Sequence, residues 1–139
     1  MKTYFLDSNI FLRFLTGDNQ RMLNECLSLI ENIKEGKINA FTSNLVLSEV
    51  VWTLGSLYKF PRIKIINAIK GIVGTPGLKI CDGYMILAAL EIYENSSVKF
   101  IDSLVASIHE IYNRKWIVIS YDKDFDKLGV IRKEPSQIC

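Results

Sequence analysis

Apolar residues along the chain form short runs that alternate with longer segments of helical periodicity. The runs lie near residues 2–6, 39–41, 78–81 and 116–119, with a candidate edge strand at 130–132. Short apolar strands alternating with helices are typical of a parallel sheet with helices on both faces. The pattern predicts an α/β fold, a three-layer α/β/α sandwich with a central, mostly parallel sheet of four or five strands. The predicted helices span residues 8–15, 19–34, 44–58, 61–73, 83–93 and 103–112.

Four carboxylates stand inside or directly after apolar stretches, which are unusual places for charge. Asp7 and Asp122 follow predicted strands, Asp102 opens the last predicted helix, and Glu49 lies within the third. None of the residues three or four positions from Glu49 is a cation. An unpaired carboxylate in the interior either costs several kcal/mol or becomes protonated. These acids therefore require compensation from outside their own segments.

A divalent cation is the simplest compensation, provided that the four acids meet. In open parallel sheets the ligand crevice lies beyond the carboxyl ends of the strands, where the strand order reverses. The predicted elements bring all four acids to that edge. Mg²⁺ and Mn²⁺ prefer oxygen ligands, and the set contains no His or Cys. A cation held in this way can activate water and stabilise a phosphoryl displacement, so the predicted reaction class is phosphodiester hydrolysis.

Size and composition indicate one globular domain, residues 1–139. A mean hydropathy of +0.18 is high for a monomer of this length and indicates an apolar surface covered by a partner. The net charge of +2 is too small to argue for or against a phosphate-rich substrate.

Cysteine usage and the N-terminal segment predict a cytoplasmic protein. Cys26, Cys81 and Cys139 are odd in number and widely spaced, which disfavours a disulfide framework and favours reduced thiols. The N-terminus lacks the apolar region of a signal peptide. No apolar stretch approaches the ~20 residues that a membrane-spanning helix needs, so we expect no membrane association.

Four motifs around the acids resemble those of PIN-domain nucleases, in particular the VapC-type toxins of toxin–antitoxin pairs. They are LDSNIFLRFLTGD at 6–18, LSEV at 47–50, FIDSLVA at 100–106 and SYDKDF at 120–125. The resemblance implies a metal-dependent endoribonuclease that forms a homodimer, cleaves RNA and is inhibited by an antitoxin. It implies a catalytic and metal-binding set of Asp7, Glu49, Asp102 and Asp122, with Asp124 as an additional candidate, and implies that Ser8, Asn9 and Ser120 order the carboxylates.

Other interpretations of individual residues remain open at this stage. Asp7 and Asp102 each also fit a helix N-cap, and Asp82 fits an N-cap of the helix that follows it. Each basic residue that fits a phosphate contact also fits a solvated surface charge. The candidate RNA contacts are Arg13, Lys123, Lys127 and Arg114.

Three alternative functions also remain. A receiver-like phosphoacceptor domain combines a parallel sheet with Mg²⁺ and acids in one crevice, although Asp7 has no adjacent acid. A PIN nuclease could act in RNA processing without a toxin role. A purely structural binding domain would leave the apolar surroundings of Glu49 unexplained.

Overall fold

A five-stranded sheet forms the centre of the computed structural model, which describes residues 2–138. The strand order is β3-β2-β1-β4-β5, and every neighbouring pair is parallel. This confirms the predicted fold class, although the edge strand begins two residues later than predicted. The strands are β1 (Thr3–Leu6), β2 (Asn39–Thr42), β3 (Leu78–Ile80), β4 (Trp116–Ile119) and β5 (Arg132–Lys133).

Helices connect the strands and flank the sheet. They are α1 (Ser8–Thr16), α2 (Gln20–Lys34), α3 (Asn44–Ser56), α4 (Arg62–Val73), α5 (Ile86–Glu94), α6 (Phe100–Ala106) and α7 (His109–Tyr112), with 3₁₀ helices at Lys123–Leu128 and Pro135–Gln137. Within residues 2–138, none of these helices combines the length and the apolar character that crossing a membrane requires.

Both faces of β1 and of its neighbour β4 are buried. Successive side chains of a strand point to opposite faces, and Phe5, Leu6, Val118 and Ile119 are all fully buried. Strands covered on both faces are apolar at nearly every position, as strands of parallel sheets generally are. The apolar runs that the sequence presents at β1 and β4 follow from this double burial.

Two helices differ from their predictions. The helix predicted at 83–93 begins only at Ile86. The helix predicted at 103–112 is divided into α6 and α7, and α6 begins at Phe100. At the division, the Ser107 hydroxyl donates to the Leu104 carbonyl oxygen and accepts from the Met85 amide. A serine side chain that bonds to nearby backbone competes with helix continuation, which accounts for the break.

Cys26 and Cys81 are free thiols, and Cys26 is buried. Cys139 lies outside the described residues.

The strand order reverses between β1, the central strand of the sheet, and its neighbour β4. Their registered pairing places Leu6 opposite Ile119, and the Asp7 amide donates to the Ile119 carbonyl oxygen at 3.1 Å. The residues that leave these two strands therefore emerge side by side at the place where parallel α/β sheets form their ligand crevice. The order 3-2-1-4-5 also differs from the 2-1-3-4-5 order of receiver domains, which removes the receiver-like alternative.

Candidate metal centre

Asp7 lies at the end of β1 and is 5% exposed. It occupies the N-cap position of α1, but its side chain makes no capping hydrogen bond. Its Oδ2 instead accepts from the Ser120 hydroxyl at 2.8 Å and from Asn9 Nδ2 at 3.3 Å. The capping role alone therefore does not explain this carboxylate, because its hydrogen bonds connect it to the segment after β4.

The Ser120 hydroxyl joins the two acidic segments at the switch point. It donates to Asp7 and accepts from Asn9 Nδ2 and from the Asp122 amide, each at 3.0 Å. Asn9 Oδ1 in turn accepts from the Tyr121 amide at 3.1 Å. Since Ser120 is fully buried, these bonds form a fixed connection between the start of α1 and the loop after β4.

Asp102, Asp122 and Asp124 form a cluster in which one carboxylate oxygen from each lies within 4.8 Å of the others. Asp102 is the third residue of α6, whose N-cap is Lys99, so the capping interpretation of Asp102 is wrong. Asp122 caps the following 3₁₀ helix by accepting from the Asp124 amide at 2.9 Å. We call these three residues the acidic cluster.

Glu49 is half-buried in the second turn of α3. The start of α3 is held by two side chains: Ser43 Oγ accepts from the Val46 amide, and Asp82 Oδ1 accepts from the Asn44 amide at 2.9 Å. Asp82 was predicted to cap the helix that follows it in sequence. It contacts the start of α3 instead, and so helps to fix the helix that carries Glu49.

Burial and mutual repulsion change the protonation of Asp7. Burial raises the pKa of Asp7 from its ordinary value of 3.8 to about 6. Hydrogen bonds from Ser120 and from the Ser8 backbone oppose this rise, and Ser8 is itself buried. The charges of Glu49 and Asp122 add to it, so both residues lie within electrostatic range of Asp7.

The pKa of Asp102 is raised further, to about 7. Burial is the largest cause, and the charge of Asp7 is the next. Asp122 and Glu49 raise this pKa too, while the nearby Lys99 ammonium lowers it. All four predicted acids are therefore close enough to influence one another, although only Asp102 and Asp122 belong to the acidic cluster.

Lys99 is a residue near this site that the sequence did not single out. It is exposed, and partial desolvation lowers its pKa, but the charges of Asp102, Glu49, Asp122 and Asp7 raise that pKa more. The only indication of this proximity in the sequence is that Lys99 stands three residues before Asp102.

The predicted RNA contacts have different surroundings. Arg13 donates to Asp18 at 2.9 Å, and Arg114 donates to the Gly129 carbonyl oxygen at 3.0 Å, so both are engaged within the protein. Lys127 lies at the site, where its ammonium pairs with Asp124 at 3.1 Å. Lys123 is exposed directly after Asp122.

The residues fit a hard divalent cation. Asp102 Oδ2 is buried and has no hydrogen-bond partner among residues 2–138, although a buried acceptor normally has one. This oxygen belongs to a cluster whose donors are all carboxylates, the ligand type that Mg²⁺ and Mn²⁺ prefer. A cation would supply the missing partner and offset the repulsion that raises the two pKa values.

Comparison with known proteins identifies a matching family model and similar folds. A family model described as PIN domain matches residues 4–131. No curated protein matches the chain.

Solved structures share the fold at low sequence identity. VapBC from Salmonella typhimurium bound to DNA superposes with a TM-score of 0.69 at 15% identity, covering 97% of this chain and 99% of that one. VapBC2 from Rickettsia felis bound to a promoter DNA fragment gives 0.67 at 17%, covering 95% and 98%. VapC20 from Mycobacterium tuberculosis, a sarcin-ricin loop cleaving toxin, gives 0.63 at 13%, covering 92% and 96%. The superpositions over more than 90% of both chains show a shared fold.

Proposed function

Because the chain belongs to the PIN domain family, we propose that it is a metal-dependent endoribonuclease and the toxin of a type II toxin–antitoxin pair. This membership confirms the resemblance that the four sequence motifs indicated. The observation that carries the proposal is the acidic cluster with the unpartnered Asp102 Oδ2, next to Asp7 and Glu49 at the strand switch point.

In this proposal Asp7, Asp102 and Asp122 hold Mg²⁺ or Mn²⁺, with Asp124 as an additional ligand. A bound cation of this kind activates water and stabilises the oxygens of the phosphate under attack. Glu49 is outside the acidic cluster and half-buried, so it either holds a second cation or orients the attacking water.

The polar residues next to the acids keep the carboxylates in position. Ser120 bonds both Asp7 and the Asp122 amide, and Asn9 bonds Asp7, Ser120 and the Tyr121 amide. Groups that orient metal ligands commonly change metal affinity or activity by roughly 10- to 100-fold when removed. We assign this orienting role to Ser8, Asn9 and Ser120.

RNA is the proposed substrate. One of the similar structures is described as a toxin that cleaves the sarcin-ricin loop, which supports RNA over DNA. Lys123 and Lys127 are the proposed phosphate contacts near the acids, whereas Arg13 and Arg114 remain predictions with contacts inside the protein.

Partner chains are the second part of the proposal. Two of the similar structures are VapBC complexes, which supports an antitoxin partner. A groove of about 690 Å³ between α3 and α4, lined by residues such as Trp52, Phe60 and Ile66, is almost entirely apolar. The outer face of α5 also exposes Leu87 and Leu90. Apolar surface of this extent commonly marks an interface. We propose that an antitoxin and a second copy of the chain cover these two surfaces.

The nuclease proposal is tested by incubating the purified protein with a panel of labelled single-stranded and hairpin RNAs. Cleavage is expected with Mn²⁺ or Mg²⁺ and is expected to stop when EDTA is added. An intact panel with both metals would overturn the nuclease assignment. Absence of a neighbouring gene for a small protein with a DNA-binding N-terminus would weaken the toxin assignment, leave the nuclease assignment standing and favour a PIN nuclease in RNA processing.

A further inference from the structure

Lys99 combines two properties that the mechanism above does not use. Its side chain is exposed, and its charge interacts with Asp102, Glu49, Asp122 and Asp7. The residue is therefore an exposed cation within electrostatic range of the candidate metal centre.

The Lys99 ammonium has no ion pair with any described residue, since no carboxylate oxygen lies within 4.0 Å of it. Of the two other lysines near the acids, Lys127 is already paired with Asp124, and Lys123 is exposed directly after Asp122. Lys99 is thus attracted by the acids but keeps its N–H donors available.

The backbone of Lys99 is fixed even though its side chain is exposed. Its carbonyl oxygen accepts from the Asp102 amide at 3.1 Å and from the Ser103 amide at 3.2 Å. The preceding residue, Val98, is 4% exposed, and the following Phe100 packs edge-on against Tyr93 with ring centroids 5.3 Å apart. The backbone of Lys99 is therefore held at a constant position relative to Asp102.

A nuclease with this acid content must admit a polyanion next to carboxylates that repel it. A lysine beside the acids with available donors can bind a phosphate oxygen and reduce that repulsion. We propose that Lys99 is a substrate-binding residue that contacts a backbone phosphate of the RNA at the candidate metal centre. This assignment rests on the proposed nuclease function.

The test compares steady-state cleavage by wild type, Lys99→Met and Lys99→Arg, using the RNA of the panel that the wild type cleaves fastest. Lys115→Met is the matched control, because Lys115 is exposed and directly precedes β4, at the sheet edge opposite the acids. Melting temperatures and circular dichroism establish that each variant is folded.

Lys99→Met is expected to raise KM roughly tenfold, the effect of removing a charged hydrogen-bond donor. The slope of log KM against log salt concentration should become shallower by about 0.7, as expected for one lost phosphate contact on single-stranded RNA. Lys99→Arg should recover most of the wild-type KM, and Lys115→Met should leave KM and the salt slope unchanged. The Mn²⁺ concentration that gives half-maximal rate should not rise in Lys99→Met, because the substitution removes a positive charge near the acids.

Equal KM values and salt slopes for Lys99→Met and Lys115→Met would overturn the assignment. A lower kcat with a higher Mn²⁺ requirement and unchanged KM would also overturn it, since that result indicates a role in the metal centre's structure. These outcomes differ from failure of the nuclease function, in which the wild type itself leaves every RNA intact and the Lys99 assignment fails with it.

Discussion

Replacing Asp102 with asparagine is expected to stabilise the metal-free protein. The Asp102 side chain is 4% exposed, and its Oδ2 has no partner among residues 2–138. Burial, followed by repulsion from Asp7, raises its pKa from 3.8 to about 7. Asparagine has nearly the same shape without the charge, so the substitution removes the free-energy cost of ionising this group in the interior.

The sign and size of the effect follow from the pKa difference between the folded and unfolded chains. A carboxyl with a raised folded-state pKa contributes its full stability below about pH 4 and loses it as the pH rises through about 7. At about 1.4 kcal/mol per pKa unit, ionising Asp102 costs about 4 kcal/mol at pH 8. At pH 5 the unfolded carboxyl alone has ionised, and the cost is about 2 kcal/mol. Asp102→Asn should raise the free energy of unfolding by up to these amounts.

Urea unfolding in EDTA, followed by circular dichroism at pH 5 and pH 8, measures this difference. The control is Asp126→Asn, since Asp126 is exposed and a hydrogen bond from Arg132 lowers its pKa. The control should lose less than about 1 kcal/mol at pH 8, as exposed ion pairs generally do. The reasoning is refuted if Asp102→Asn is less stable than wild type at pH 8, or if its gain is the same at both pH values.

Three further predictions test other parts of the structure. Ser120→Ala removes the hydroxyl that joins the two acidic segments and should weaken Mn²⁺ binding in calorimetry by roughly 10- to 100-fold; unchanged affinity would contradict the orienting role. Gly77→Ala would place a Cβ 2.5 Å from the Ile33 carbonyl oxygen at a φ of +85°, and it should lower the free energy of unfolding by about 3 kcal/mol. Its control is Gly36→Ala, with φ +74° and no atom within 4 Å of the added Cβ, which should lower that free energy by only about 1 kcal/mol. The proposed homodimer is assigned to the outer face of α5, so Leu87→Glu, at a side chain 80% exposed there, should give a monomer in light scattering. A mass unchanged from that of a dimeric wild type would exclude this face as the dimer contact.

The centre of the sheet could be predicted from the sequence because β1 and β4 are buried on both faces and are therefore apolar at nearly every position. The limits of β1 and β4 follow directly from such runs. The ends of helices were harder to predict where a side chain hydrogen-bonds to backbone groups outside its own local segment. Asp82 contacts the start of α3 instead of its own helix, and Ser107 bonds to both Leu104 and Met85, which the local pattern does not reveal.

A residue of the candidate site could be predicted from the sequence only where its residue type is unexpected among its sequence neighbours. A carboxylate in an apolar segment is unusual in the sequence alone. Four acids could therefore be selected without knowledge of the fold: Asp7, Glu49, Asp102 and Asp122. An exposed lysine is ordinary, and Lys99 became notable only because the fold places its charge near all four acids. The connection through Ser120 likewise depends on the adjacency of β1 and β4, whose paired residues are 113 positions apart in sequence.

The most direct test of the central claim is a titration of RNA cleavage with Mn²⁺ for the wild type, Asp7→Asn and Glu49→Gln. The account expects a wild-type rate that rises with Mn²⁺ and disappears in EDTA. Both variants should fold and should cleave at least roughly 100-fold more slowly at saturating Mn²⁺. Undiminished cleavage by Asp7→Asn, or wild-type cleavage that persists in EDTA, would contradict the assignment of these acids to a metal-dependent nuclease centre.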